Sequence, residues 1–343
     1  MDLKKIFLKD ACPTKIGGQA IMEGVMMKSS ERTAIAIRLP DNRIYLKTEK
    51  NKELGRISKI PVLRGVYAFV DALVSGTRTL MKSAEILEKF SYVESSESET
   101  KFERWLEKSF GKESAWNVLI VITVIISLMF TVGVFILFPT AAVNWIGIFT
   151  KSAILLNLFE GIFRILLFVA YIILISKMED IKRVFQYHGA EHKTIHCLEN
   201  NLELTPDNAK QFYTLHPRCG TSFLMFVMVI SLIIFSLLGW PNLLYRIASR
   251  ILLIPVVAGL SFELLKWAGR SDNFVVKFLS LPGLYLQKLT TKEPDNKQLE
   301  VAIVSVKAVL VDDDYPCVEG ISDLDGNIII DKDSIDDNKG TDI

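Results

Sequence analysis

Apolar residues in this chain come in long unbroken runs. Trp116 to Phe138 holds 23 residues without a charge, enough to cross a hydrocarbon core of about 30 Å as a helix. Ala153 to Ser176 forms a second run, broken by Glu160 and Arg164. Those two lie four apart and can pair on one helix face inside a bundle. A third run, Phe223 to Trp240, closes at a Gly-Trp-Pro boundary, and a fourth, Ile247 to Trp267, carries Arg250 early and Glu263 late. The pattern predicts an α-helical polytopic membrane protein with about four transmembrane helices, whose first partner is the lipid bilayer.

The flanking regions have shorter periods. Thr33 to Leu39 and Ile44 to Thr48 read as two strands joined by the turn Pro40-Asp41-Asn42-Arg43, so a small N-terminal α/β element is expected. Gly17-Gly18-Gln19-Ala20-Ile21-Met22-Glu23-Gly24-Val25-Met26-Met27 reads as a buried strand and turn with a lone acid. Val62 to Phe90 has a helical period, with Val62, Val66, Phe69, Val70 and Leu73 on one side and Arg64, Asp71 and Arg78 interrupting it. It is too charged to span, and predicts an amphipathic helix on the membrane surface or against the bundle. Glu94 to Thr100 is a flexible acidic linker. Beyond the fourth run Pro282-Gly283 marks a break. Asp295 and Gln298 form a capping box for a helix over Lys297 to Leu310, whose valines also allow a strand. From Asp312 the chain is acidic and reads as a flexible tail. The expected segments are thus 1–90, a cytoplasmic N-terminal element; 91–115, a linker and pre-membrane segment; 116–267, the membrane core with a histidine loop at 178–221; 268–310, a C-terminal helical segment; and 311–343, the tail.

Charge sets orientation more than class. The 343 residues carry a formal net charge of +1, and no nucleic-acid partner is expected. Lys151 is the one basic residue between the first two runs, whereas Lys177, Lys182, Arg183, Lys193, Lys210 and Arg218 lie between the second and third. The positive-inside rule then places both termini and the histidine loop in the cytoplasm. Arg246 and Arg250 in the third connection count against this unless they snorkel to the interface. Cys12, Cys197, Cys219 and Cys317 would all face the cytoplasm, where structural disulfides are not expected.

All four histidines, His188, His192, His196 and His216, fall within one 29-residue window. The first two belong to His188-Gly189-Ala190-Glu191-His192, an H-x-x-E-H pentad. On a helix, residues four apart share a face, so His188 and His192 can present two imidazoles to one metal while Glu191 polarises a water. The plainer reading is a helix end whose histidines merely hydrogen-bond. In His216-Pro217-Arg218-Cys219, His216 and Cys219 have ligand spacing and Arg218 suits an anionic group. Glu263 is the first choice for a third, carboxylate ligand, with a pairing to Lys266 as its alternative. Gln19 and Glu23 are further candidates, Glu23 as a ligand or proton relay. His196 is a fourth ligand or a solvated neighbour. Such a donor set suits a divalent transition metal, zinc first, with iron and manganese as alternatives.

Taken with Leu281-Pro282-Gly283 and Thr290-Thr291-Lys292-Glu293-Pro294, the glycine-bounded N-terminal run, the pentad segment 187–194, the segment 216–222 and Glu263 resemble the YqhQ-like family of bacterial membrane proteins over residues 15 to 310. That family is described as predicted metal-dependent enzymes, so the resemblance implies a bacterial plasma membrane and metal chemistry, and names no substrate. His196 lies outside its pattern. Residues and resemblance together lead to the expectation of a metal-dependent hydrolase at the cytoplasmic face. Lipid headgroups, membrane peptides and amphiphiles all remain open as substrates. The competing classes are a membrane scaffold and a protein that transports or senses a metal or small solute.

Overall fold

The computed structural model describes residues 12, 14–51, 60–90, 112–146, 152–239, 242–268, 274–311 and 315–331. The expected linker at 94–100 lies outside them. Strands β1 (Gly17–Ile21), β2 (Gly24–Lys28), β3 (Arg32–Arg38) and β4 (Ile44–Lys50) come first, followed by α1 (Leu63–Phe90). Next are α2 (Lys112–Val132), a π turn (Gly133–Leu137), α3 (Phe138–Ile146), α4 (Ala153–Ile175), α5 (Glu179–Glu199) and the short α6 (Pro206–Lys210). The chain continues with α7 (Gly220–Leu237), α8 (Leu243–Ala268), α9 (Phe274–Thr290), α10 (Asn296–Val309), β5 (Glu319–Ser322) and β6 (Ile328–Asp331). Four stretches, Ile122–Trp145, Ala153–Ile175, Gly220–Leu237 and Leu244–Trp267, are long and apolar enough to cross a membrane. The protein is a polytopic α-helical membrane protein with an antiparallel sheet.

Contacts divide the chain into two units, residues 1–90, 171–230 and 254–343 in one and residues 91–170 and 231–253 in the other. The first holds the sheet, an antiparallel meander in the order β1 to β6. Its side chains alternate with period two, and both faces are buried. Val25, Met27, Ala34, Ala36, Ile44 and Leu46 join Tyr187, Ala190 and Ile195 of α5 and Leu299, Val301 and Val304 of α10 in one core. Met26, Ile35, Ile37 and Tyr45 pack with Ile86, Leu87 and Phe90 of α1 in the other. The helical alternative for Lys297 to Leu310 prevails, because Asp295 and Gln298 close the capping box reciprocally. Ten of the fourteen residues of α10 are buried, so it is a core helix and not a free-standing one.

Several expectations are corrected. The predicted flexible tail contains β5 and β6, which extend the N-terminal sheet through Tyr45 opposite Ile321. Asp325-Gly326, with Gly326 at φ +86°, turns the chain between two apolar runs, a hairpin signal that the acidic composition overrode. No break occurs at Pro282-Gly283, which lie inside α9. Gly283 is instead a close-approach position, since a Cβ there would come within 2.7 Å of Ser222 Oγ. The first span runs past Phe138 because the π turn precedes Pro139, which then occupies the first turn of α3, where its missing N–H is tolerated. Arg246 and Arg250 are buried residues of α8 rather than loop charges.

Candidate functional site

Helix α5 is apolar enough to be enclosed and polar enough to carry chemistry. From Tyr187 to Cys197 every residue except His188 is buried, and His188 is half-buried. Tyr187 and Ala190 face the sheet. The opposite side of the helix meets the segment 214–219 and the end of α9. Gly189 permits this second contact, because a Cβ at that position would collide with the carbonyl oxygen of Lys292, while the Lys292 N–H donates to the Phe185 carbonyl at 2.9 Å. The glycine of the pentad thus brings the 290–292 backbone onto α5 between its two histidines.

That backbone fixes the tautomers. His188 Nδ1 donates to the Thr290 carbonyl at 2.9 Å, and His192 Nδ1 donates to the Thr214 carbonyl. A carbonyl only accepts, so each Nδ1 carries the proton and each Nε2 presents a lone pair. Both lone pairs converge on Cys219. His188 Nε2 is 3.2 Å from Cys219 Sγ, and the Nε2 atoms of His188 and His192 and the thiol sulfur lie within 4.8 Å of one another. His192 is 1% exposed, and its Nε2 has no hydrogen-bond partner among the described residues. Tetrahedral zinc with two nitrogens and one sulfur separates adjacent N and S donors by about 3.5 Å, so this set fits such an ion.

Glu191 lies on the same helix, enclosed by β1. A Cβ at Gly18 would meet its Cδ at 2.8 Å, so the glycine gives the carboxylate its room. Glu191 Oε2 is buried without a hydrogen-bond partner among the described residues. Burial pushes its carboxyl up to about 7, with Cys219 adding to the rise and His188 and the Gly18 N–H opposing it. Burial likewise pushes the His192 imidazole down. For Cys219 burial works against ionisation, yet His192 and the hydrogen bonds from Thr221 outweigh it, and the thiol falls below its ordinary value. Cys219 also directly precedes α7, where the helix dipole favours a thiolate.

The remaining candidates are placed elsewhere. His216, expected as a ligand, instead pairs through Nε2 with Glu199 Oε2 at 3.4 Å. His196 Nε2 donates to the Leu215 carbonyl at 2.9 Å, and its ring stacks on Phe212. Arg218 forms an ion pair with Glu199, whose Oε1 also accepts from the Thr14 N–H at 3.0 Å. This second group of potential donors already holds a cation, the guanidinium of Arg218. Glu263 belongs to neither group. Arg64 of α1 grips both its carboxylate oxygens, and the Val62 N–H donates to it at 3.3 Å. Glu23 occupies the β1–β2 turn at φ +50° and holds Arg183 by both oxygens, with Tyr187 Oη at 3.3 Å. Gln19 packs against Gly76 of α1.

Residue spacing does not reveal the supporting carbonyls, nor Gln287, whose amide brackets the segment bearing Cys219. Its Oε1 accepts from the His216 N–H and its Nε2 donates to the His216 carbonyl, both at 2.9 Å.

The profile of a family described as "Protein of unknown function (DUF1385)" matches residues 60–312. The chain belongs to the DUF1385 family. "Uncharacterized protein YqhQ" of Bacillus subtilis (strain 168) is 38% identical to it over 312 residues, covering 88% of this chain and 94% of that relative. No solved structure matches the chain. The whole arrangement of pentad, Cys219 segment and end of α9 falls inside the stretch matched by the family.

Proposed function

We propose that the protein is a metal-dependent hydrolase of the bacterial plasma membrane, with His188, His192 and Cys219 as metal ligands and Glu191 as general base. The observation that carries this reading is the pair of Nδ1–H···O=C hydrogen bonds, which hold two Nε2 lone pairs, that of His192 fully buried, on one thiol. Backbone carbonyls that accept from the far nitrogen of a ligand histidine orient its ring and raise its basicity. His188, His192 and Cys219 would hold a divalent ion of the zinc class, which would supply Lewis acidity and lower the pKa of a bound water toward about 7. Glu191, with one oxygen unpartnered among the described residues and its carboxyl raised by burial, would take the proton from the attacking water. Cys219 takes the place first given to Glu263 as the third ligand. The basic connection between α4 and α7 supports a cytoplasmic site with both termini on the same side. Removing Arg246 and Arg250 from the loop count strengthens that orientation.

Metal analysis of the purified protein tests the reading. About one transition metal ion per chain is expected, with sharp losses in His188→Ala, His192→Ala and Cys219→Ala. Equal metal content in the wild type and all three variants would sink the site. Retention of metal by Cys219→Ala alone, with activity lost, favours a second reading in which Cys219 is a nucleophile activated by His188 across the 3.2 Å contact.

A further inference from the structure

Cys219 stands one residue before α7, whose membrane-crossing stretch begins at Gly220. Its strongly apolar sequence starts at Phe223, four residues after Cys219, or about 6 Å along a helix. A headgroup layer is about 5 to 8 Å deep on each face of the hydrocarbon core, so the thiol lies at the depth of lipid glycerol and ester groups. Two amphipathic helices mark the same level. Helix α9, whose Thr290 carbonyl holds His188, crosses the start of α7, where Gln287 Nε2 donates to Ser222 Oγ at 3.1 Å. Its outer face presents Phe278, Pro282 and Tyr285 at i, i+4 and i+7, with Lys288 Nζ 5.3 Å from the Tyr285 ring centre. Aromatic rings and lysines arranged in this way suit the membrane–water interface. Helix α1 rests on two spans, with the ring centres of Phe69 and Phe223 5.8 Å apart and a Cβ at Gly65 only 2.9 Å from Gly259 Cα of α8. Leu63, Tyr67 and Val70 of α1 stay exposed beside these contacts.

Among the described residues the site is open on one side. Strand β1 covers Glu191 at Gly18, the Lys292 carbonyl covers Gly189, and His192 is 1% exposed. His188 and Cys219 are half-buried, and the adjoining Gly220 is exposed, with no described heavy atom within 4 Å of where its Cβ would stand. Leu224, four residues later on the same face of α7, is exposed at the edge of the acyl-chain region. The gap at Gly220 therefore continues into lipid-facing surface.

We propose that the substrate is a bilayer glycerolipid, which enters past Gly220 and presents an ester linkage between His188 and Cys219. This assignment rests on the hydrolase reading of the same residues. Hydrolysis joins the water oxygen to the acyl or phosphoryl centre, breaks that centre's bond to the alcohol oxygen, and passes the water's proton through Glu191 to the departing alkoxide. A membrane peptide fits less well, because its amides are closed into helical hydrogen bonds near this depth. A lipid already holds its esters there.

The test uses the full-length protein in nanodiscs of ether-linked phosphatidylcholine, doped with a diacyl phosphatidylglycerol that carries a diazirine near its acyl carbonyl. Every span contacts lipid, so the informative crosslinks are those around His188, on a helix that belongs to no span. Crosslinks there are expected in the wild type, and Gly220→Leu should cut their yield about tenfold by overfilling the gap. Gly220 lacks the positive φ of Gly239 and Gly326, so leucine suits its backbone. No crosslink around His188 in the wild type overturns the proposal, as does an equal yield in Gly220→Leu. If that variant does not fold, competition on the wild type decides. Displacement of the probe by unlabelled phosphatidylglycerol supports the lipid, whereas displacement by a transmembrane peptide alone, or by neither, overturns it. Mass spectrometry of the recovered lipid is expected to show hydrolysis products with the wild type and none with Glu191→Gln, and intact lipid throughout would overturn its role as substrate. Metal content of the same samples reports separately on the hydrolase reading. Crosslinking without metal keeps the lipid site and sinks the hydrolase, and metal without crosslinking does the reverse.

Discussion

Two groups of three potential donors share α5, one turn apart. His188, His192 and Cys219 form the first, and His196, Glu199 and His216 the second. Both are enclosed, and neighbouring rings of the two groups approach closely, with His192 and His216 centroids 5.6 Å apart. They differ in what their nitrogens are bonded to. In the first, backbone carbonyls engage the Nδ1 atoms and leave the Nε2 lone pairs facing a thiol. In the second, the Nε2 atoms are themselves spent on the Leu215 carbonyl and Glu199, and Arg218 already neutralises the carboxylate. Proximity alone would rank the two groups equally. Hydrogen-bond partners separate a ligand-ready group from a saturated one.

The most direct way to break this comparison is to remove one histidine from each group. His192→Ala is expected to lower metal affinity by more than the 10- to 100-fold typical of losing an outer-shell partner. His196→Gln is expected to leave occupancy of the purified protein at the wild-type level, as read by elemental analysis. Similar losses in both variants would place the metal across the two groups. Glu191→Gln sharpens the first group from within. Glutamine keeps the shape but cannot accept the proton, so metal stays while complementation of a deletion strain falls with a rate loss of roughly 10² to 10⁴. Full complementation by this variant would remove Glu191 from the chemistry.

The second group is expected to act through position. Glu199 ties α5 to Arg218, one residue before Cys219, so Glu199→Gln should weaken the anchor of the thiol without touching the ligands. A loss of about 2 kcal/mol in stability is expected from leaving Arg218 without its carboxylate, with roughly tenfold weaker metal binding. Denaturant unfolding and metal titration report these separately. Unchanged metal affinity in a measurably destabilised variant would confine Glu199 to folding.

How much of this was legible beforehand depends on the range of the interaction. The four spans follow from local apolarity, and β3, β4, α1 and the Asp295–Gln298 capping box from local period and turn chemistry. The pentad was visible because both its histidines lie on one helix. Cys219 was read only as an alternate, since its rank over Glu263 depends on Arg64 being available to Glu263, a pairing 199 residues apart. Arg250 counts in the sequence both as an early residue of the fourth run and as a charge of the connection before it, and its partner Glu160, 90 residues earlier, is not visible locally. The last two strands were hidden by acidic composition, although Asp325-Gly326 between apolar runs carried the local signal. The Gly189 and Gly18 contacts depend on backbone and side chains brought in from other elements, which no single-sequence pattern records.

The smallest effect expected concerns pH and isolates the second group. Burial pushes both His196 and His216 down to about 4, against the pull of the Leu215 carbonyl on one and of Glu199 on the other. Their ordinary value is 6.5. Between pH 6.5 and 4 the unfolded chain therefore binds more protons than the folded one, so stability is full above 6.5 and falls as pH drops through that window. The loss is on the order of 1 kcal/mol per histidine at pH 5.5. For Glu199 burial alone would raise the carboxyl, but His216 and Arg218 hold it at about 2, so its contribution is lost only as pH falls from 4.5 toward 2. The two windows barely overlap, but Glu191, raised to about 7, contributes with the opposite sign between pH 7 and 4.5, so the histidines are read from the difference between wild type and His216→Gln in thermal melts from pH 7.5 to 4.5. His216→Gln should remove about half of the histidines' contribution to the acid loss. A variant with the wild-type slope would mean that acid sensitivity comes from another part of the molecule and that the second group is not held neutral by its burial.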